Sequence, residues 1–431
     1  MMRHFALFLL LFATFSSLMA QDYLGDVVVV TDADDAQMFP DVAYNSKENT
    51  FLVVWEHAIS DTSNDIYGVI LDGDTAQPVG NPQVLIMDDA GFQSPEVTYN
   101  STDNEFALIA RRIEDEMFVL QRVGANGQPL GEPVELAVGN YPIFDPHARA
   151  RGGSITYNAQ DHEYLVGITT SEVPSPLIVM SDGSLDLPVE PFGNGTNPSV
   201  AWSSVSNVYL LAWEDRELRD AQNEQENLSA QLISSDGDLI GDVLLVRHQP
   251  FAEESPRVAY NPDDDQFLVI WDERIGYAPG GTTQTDLFGQ IISAAGQLVG
   301  EPIPIEFSTA YTLRQDVAYS PQSGRYLVVW KGEESGDWRH SDIYGRFINR
   351  DGTPDGEHFL IVDSGDDGVE GENSEQYFDE SKLPAVAFNS NTGTFLVVWE
   401  EGGIARDPLI RDIHARFVKD MVTGISSWEL F

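Results

Sequence analysis

The sequence predicts an all-β fold, a seven-bladed β-propeller of four-stranded antiparallel blades. Three observations carry this: a phrase repeated along nearly the whole chain, strands apolar on both faces, and an orphan first strand that complements an incomplete last unit. The phrase is Pro-x-Val-Ala-Tyr-Asn, followed a few residues later by Phe-Leu-Val-Val-Trp-Glu. Its copies begin at Pro40, Pro95, Gly153, Pro198, Pro256, Gln315 and Pro384. The second strand follows as Phe51 to Trp55, Tyr209 to Trp213, Phe267 to Trp271, Tyr326 to Trp330 and Phe395 to Trp399, with degenerate copies at Phe106 to Ala110 and Tyr164 to Thr169. The mean spacing from Val42 to Val386 is about 57 residues, longer than the usual blade period because loops are inserted.

A third strand appears as Asp65-Ile66-Tyr67-Gly68, Asp286-Leu287-Phe288-Gly289, Asp342-Ile343-Tyr344-Gly345 and Asp412-Ile413-His414-Ala415. Turns such as Asp72-Gly73, Asp236-Gly237 and Asp351-Gly352 then lead to a fourth, as in Gln83 to Ile86 or Pro302 to Ile305. The seventh unit stops after its third strand, Arg411 to Val418. The orphan strand Val27 to Val30 is expected to pair beside it and close the ring, leaving no open edge between last and first blades.

In Phe51-Leu52-Val53-Val54-Trp55 every position is apolar, so both faces must be covered, as they are between stacked blades. Trp55, Trp213, Trp271, Trp330 and Trp399 read as core residues packing blade to blade. Asn45, Asn100, Asn158, Asn261 and Asn389 close first strands and read as turn formers. Asp65, Asp286, Asp342 and Asp412, repeated at one position, read as hydrogen-bond anchors within blades, since a chemistry would use one place and not four.

These units resemble TolB and PD40-type propeller repeats of exported bacterial proteins, whose blades carry a Trp or Phe strand end, an acid with a nearby Arg, and an Asp-Ile-Tyr strand. Trp213-Glu214-Asp215-Arg216, Trp271-Asp272-Glu273-Arg274 and Ser341-Asp342-Ile343-Tyr344 carry the resemblance. It implies the architecture and leaves function open, because such propellers include peptidase gates, partner-binding scaffolds and polysaccharide-active enzymes. The usual Ser-Pro-Asp-Gly turn is replaced here by Asn-Ser-x-x-Asn or Asn-Pro-Asp-Asp. The tail Thr423 to Phe431 resembles the stretch before a type IX secretion sorting domain.

Residues 1–20 read as a secretory signal, with Arg3, an apolar run from Phe5 to Phe12, and Ala20 before the expected cut. Residues 21–431 are then one propeller with an acidic inserted loop at 363–382, secreted or held at the cell surface or periplasm, and expected to be monomeric. Cys is absent, which removes disulfides and a Cys nucleophile from consideration. Asp and Glu number 70 against 23 Lys and Arg, a formal charge of −47 that repels nucleic acid and anionic lipid. No later segment approaches the ~18 apolar residues needed to cross a bilayer as a helix.

No cofactor is demanded. Ca²⁺ is the one ion the acidic loops suggest, yet Asn261-Pro262-Asp263-Asp264-Asp265, Asn100-Ser101-Thr102-Asp103 and the 363–382 insertion all fail the spacing of a Ca²⁺ loop. No nucleophile elbow, His-Glu-x-x-His or phosphate loop occurs. Binding is expected on the face of long loops, with Arg216, Arg274, Tyr277, Trp338, Arg339 and His340 as candidate anchors for a sugar acid or peptide. Asp41, Glu96, Arg257 and Asp316 are expected to ring the channel mouth. Two readings stand: a non-catalytic propeller binding a protein or polysaccharide, and a glycoside hydrolase or polysaccharide lyase on the same scaffold.

Overall fold

The computed structural model describes residues 23–33, 35–60, 63–136, 153–170, 173–216, 226–250, 252–277, 283–307, 312–332, 342–363, 383–402 and 411–420. Among them are seven antiparallel sheets and no helix. Blade 1 runs Gln37–Asn45, Thr50–Ser60, Ser63–Asp72 and Gln83–Ile86; blade 2 runs Phe92–Asn100, Glu105–Arg112, Phe118–Gly124 and Pro129–Leu136. Blade 3 runs Gly153–Asn158, Glu163–Thr170, Leu177–Met180 and Leu185–Pro188, with the short Val173–Pro174 beside its second strand. Blade 4 comprises Gly195–Ser203, Val208–Asp215, Asn227–Ser234 and Leu239–Arg247; blade 5 comprises Glu253–Asn261, Gln266–Tyr277, Thr283–Ser293 and Leu298–Glu306. Blade 6 comprises Thr312–Ser320, Arg325–Gly332, Asp342–Asn349 and Pro354–Val362.

Blade 7 draws Ala385–Asn389, Thr394–Gly402 and Arg411–Lys419 from the end of the chain and its outer strand, Leu24–Thr31, from the beginning. Val27, Val28 and Val29 pair with Arg416, Ala415 and His414. The ring is therefore closed as the sequence predicts.

Strand alternation explains the all-apolar second strands. Phe51, Val53 and Trp55 join a cluster with Val398, Ile413 and Ala415 of blade 7, whereas Leu52 and Val54 join Phe92, Phe106 and Leu108 of blade 2. Successive side chains thus fill the interfaces on either side of one sheet. Each apolar cluster spans one pair of neighbours, and the set runs around the whole ring. The five Trp residues of the repeated phrase are at most 2% exposed, and truncating one costs about 3–5 kcal/mol.

The turns between first and second strands lock neighbours together. Asn389 Oδ1 accepts from the backbone N–H groups of Asn391 (2.9 Å) and Thr392 (3.0 Å), while its Nδ2 donates to Gly73 O (2.8 Å) and Asn49 Oδ1 (3.1 Å) of blade 1. Asn45 and Asn158 repeat this arrangement toward Asn104 and Asn207. The Asx turn that the sequence signals is therefore also a link between blades.

Outer strands are bulged. Gly131, Gly241, Gly300 and Gly356 adopt φ of +75°, +70°, +74° and +81° in outer strands whose ladders shift register against the third. Gln231 and Gln290 reach from the third strand into the bulge, donating to the carbonyls of Ile240 and Gly241 and of Val299 and Gly300. Bulged edges pair poorly with another strand, which protects an exposed circumference.

Candidate functional site

The face carrying the strand two-to-three loops and the blade-to-blade connections also carries the starts of the first strands. In blades 1, 2, 4, 5 and 6 the start holds a register shift, and the residue just before the repeated phrase is left-handed: Phe39 (φ 53°), Ser94 (54°), Asn197 (52°), Ser255 (55°) and Arg314 (59°). Such a conformation costs a non-glycine residue about 1–3 kcal/mol and persists only where neighbours impose it.

Those neighbours are the acids that follow the second-strand Trp. Glu400 Oε2 accepts from Phe39 N at 3.0 Å, Glu56 Oε1 from Ser94 N at 2.6 Å, and Glu214 Oε1 from Ser255 N at 2.7 Å. Asp272 Oδ1 accepts from Gln315 Nε2 at 3.2 Å. Every one of these bonds joins a blade to the next. Burial pushes the Glu56 carboxyl up to about 8. It raises Glu214 as well, and with Glu254 nearby it holds Asp272 well above the usual carboxylate range.

The residues before the phrase meet at the channel. Phe39, Asn197, Ser255, Arg257, Arg314, Gln315 and Leu383 line a narrow opening with room for about one water molecule. Arg257 Nη2 stands 3.6 Å from Glu96 Oε1. Arg257 belongs to blade 5 and Glu96 to blade 2, which are not neighbours, so this pair crosses the axis. Arg257 also donates to Pro256 O at 3.0 Å.

Asp41, Glu96, Arg257 and Asp316 occupy equivalent positions on first strands. Asp41 Oδ2 accepts from Val97 N (2.7 Å) and Asp316 Oδ2 from Val386 N (2.8 Å), each in the next blade. Ser154 and Ser199 do the same toward Val200 and Val258, both at 3.2 Å. Arg216 lies 3.5 Å from Glu226, and Arg274 donates to Glu254 at 2.6 Å. Tyr277 ends the second strand of blade 5; Trp338, Arg339 and His340 lie outside the described residues. Arg257 lines the opening; Arg216 and Arg274 do not. Sequence reasoning missed Phe39, Asn197, Ser255, Arg314, Gln315 and Leu383, although all but Gln315 directly precede a copy of the phrase, and Gln315 begins one.

Blade 5 carries a second charged group. Glu253, Glu273 and Asp286 face one another across three consecutive strands. Arg247 of blade 4 clamps Glu273 through Nε (2.8 Å) and Nη2 (3.2 Å). Burial, with the Glu273 charge opposite, pushes Glu253 up to about 8. Of the recurrent third-strand acids, Asp342 accepts from Tyr344 Oη at 3.2 Å, within its own blade.

The carboxylates of the suspected Ca²⁺ turns have protein partners. Asp263 Oδ2 accepts from Tyr319 Oη (2.7 Å), Asp265 Oδ1 from Ser203 Oγ (2.6 Å) and Tyr260 Oη (2.9 Å). Among the described residues no three His, Asp or Glu side chains are placed to hold a metal ion.

No protein-family model matches this chain, and no curated protein does. Solved structures do. A Dyadobacter fermentans protein of unknown function aligns with a TM-score of 0.54 at 11% identity, over 92% of this chain and 98% of that one. The BP39L lectin of Burkholderia pseudomallei aligns with a TM-score of 0.53 at 12% identity, over 90% and 98%. An α-L-arabinanase of Penicillium chrysogenum, complexed with arabinobiose, aligns with a TM-score of 0.50 at 10% identity, over 91% and 98%. At such identities the likeness establishes the fold, and this chain is a seven-bladed β-propeller.

Proposed function

We propose that this chain is an exported, non-catalytic propeller of the TolB and PD40 repeat kind that binds a glycan or protein partner on its loop face, at the channel mouth. One observation carries the reading: the opening is lined by two Arg, an Asn, a Gln, a Ser and a Phe from four blades, with Leu383 at the entry to a fifth. A concave place with a few convergent polar groups on a rigid frame is the ordinary form of a ligand site. The buried acids beside it are committed to structure, since Glu214 accepts from Ser255 N, Asn197 Nδ2 and Thr196 Oγ1. The lectin likeness supports binding on this scaffold, and the first twenty residues support export.

A carbohydrate-active enzyme is the second reading, favoured by Glu253 and Glu273. Two facing carboxyls, one clamped by Arg247 and one pushed up to about 8, are the kind of pair that divides acid and base roles. A glycan and peptide array, combined with a reducing-sugar assay on polysaccharides, separates the two. The first reading expects a retained ligand without product. Turnover that disappears in Arg274→Ala or Glu253→Gln would replace it with the second.

A further inference from the structure

Blade 5 begins with acid set against acid. Across its first two strands Glu253 pairs with Glu273 and Glu254 with Asp272, whereas the same two ladder positions in blades 1, 2, 4 and 6 never oppose one carboxyl to another. Like charges directly opposite one another destabilise a sheet, so this end of blade 5 needs protons or counter-charges to stay paired. We propose that segment 252–255 is a proton-operated seam, held to its neighbours while the buried carboxyls around it are protonated and loosened as they ionise. The proposal goes beyond the binding reading above and does not depend on it.

Arginine holds one acid of each pair. Arg247 of blade 4 bonds Glu273 through Nε and Nη2, and Arg274 donates to Glu254 at 2.6 Å. The other two acids meet no arginine at ion-pair distance among the described residues. Glu253 is fully buried, and neither of its carboxyl oxygens has a hydrogen-bond partner among the described residues; the nearby backbone N–H groups of Gln249 and of Glu253 itself offset its burial only in part. Asp272 is 1% exposed and accepts a single side-chain bond, from Gln315 Nε2 of blade 6. Around them stand Glu214, Arg216, Glu226 and His248 from blade 4, Asp286 from the third strand of blade 5 and Arg314 from blade 6. Carboxyls outnumber guanidinium groups there, so ionising all of them leaves the seam with excess negative charge.

A proton on Glu253 removes the repulsion from Glu273. Burial, with the Glu273 charge opposite, pushes the Glu253 carboxyl up to about 8, and burial with Glu254 nearby holds Asp272 well above the usual carboxylate range. A Glu freed into solvent titrates near about 4.3. The closed seam is therefore fully stabilised below about pH 4 and loses that stabilisation as pH rises through about 8. Within that window each proton released on opening raises the open population by up to about tenfold per pH unit. Ser255 and Arg257 line the channel mouth, so the rigidity of the mouth follows pH over the same range.

Three backbone groups report on the seam: Glu253 N donates to Glu226 O at 3.2 Å, Arg274 N to Ala252 O at 2.8 Å and Ser255 N to Glu214 Oε1 at 2.7 Å. The test is hydrogen–deuterium exchange of the mature chain from pH 5 to pH 8, with each rate divided by the intrinsic rate at that pH. Protection of segments 252–255 and 272–274 is expected to fall by about tenfold or more across that range, while the turn after Asn389 changes by less than about twofold. Glu253→Gln and Asp272→Asn should each flatten the fall, and Glu253→Gln should raise protection at pH 8 by about tenfold. If one variant fails to fold, the other decides. Protection that is the same at pH 5 and pH 8, or a fall that persists at full size in the folded variants, overturns the proposal. An equal fall in the turn after Asn389 means that the whole ring opens together, which overturns a local seam as well.

Discussion

Ser94 donates its backbone N–H to Glu56 Oε1 at 2.6 Å across the boundary between blades 1 and 2. Ser94 is left-handed, Glu56 is 3% exposed, and Asn64 donates to the other carboxyl oxygen at 2.9 Å. The acid that ends one second strand thereby holds the bend that begins the next blade. Glu56→Ala leaves a buried N–H unpaired beside a cavity and should lower stability by about 3 kcal/mol in urea unfolding. Glu56→Gln keeps an acceptor and should cost clearly less. Equal losses in the two variants would mean that volume, and not the hydrogen bond, matters there.

The pH dependence follows from the same burial. Glu56 and Glu253 are pushed up to about 8 in the fold, whereas an unfolded Glu titrates near about 4.3. Their contribution to stability is fully present below the unfolded value and is lost as pH rises through about 8. Asp115, held low by Arg112, and Asp161, held low by Asn207, act oppositely, stabilising the fold above about pH 4 and losing that effect as pH falls. The melting temperature should therefore be highest near about pH 4–5 and decline from there to about pH 8, with little further loss from these groups above it. Glu253→Gln should flatten that decline, and a wild-type protein that melts higher at pH 9 than at pH 6 contradicts the assignment.

Ring closure is testable on Val28, which is 7% exposed and packs with Val42, Val398 and Ala415. Val28→Asp places a carboxyl among apolar side chains and should cost about 3 kcal/mol or more. Deleting the chain up to Thr31 uncovers the edge of Arg411–Lys419 and should produce self-association on gel filtration. A truncated chain that stays monomeric with unchanged urea midpoint would show that the first strand is dispensable.

Asn389 is fully buried and makes hydrogen bonds through both ends of its amide. Asn389→Ala should cost about 2–3 kcal/mol, because two backbone N–H groups of the turn and the Gly73 carbonyl lose their partner together. Asn389→Asp keeps the acceptor and should fall between the two. Denaturation of the three proteins in urea orders them.

Calcium should leave the fold unchanged. Asp263 and Asp265 are occupied by Tyr319, Ser203 and Tyr260 hydroxyls, so neither Ca²⁺ nor a chelator should move the melting temperature by more than about 1 °C. A rise that scales with Ca²⁺ concentration would place an ion in the structure.

The architecture was legible because repetition multiplies a weak signal: the Trp strand, the Asn turn and the Val27 to Val30 remnant each indicate the same ring. The latch was not. Glu56, Glu214, Asp272 and Glu400 stand in plain view after their Trp residues, but each partner sits in the following blade, at the residue before the phrase or, for Asp272, at the first residue of the phrase. Spacing within one repeat gives no hint of that relation. Glu96 and Arg257 were legible as channel-facing by register, while their pairing across the axis follows from three-dimensional closure alone. Arg216 and Arg274 stood out in the sequence as cations on an acidic surface, and such cations meet nearby acids, as they do here with Glu226 and Glu254.

The account's central claim is that this propeller works through the channel mouth on its loop face. Hydrogen–deuterium exchange with and without the ligand that scores highest on the array tests it most directly. Protection is expected in segments 37–41, 195–199, 253–257 and 312–316, while the turns after Asn45, Asn158 and Asn389 on the opposite face exchange as before. Protection confined to those turns, or to the outer strands, would contradict it.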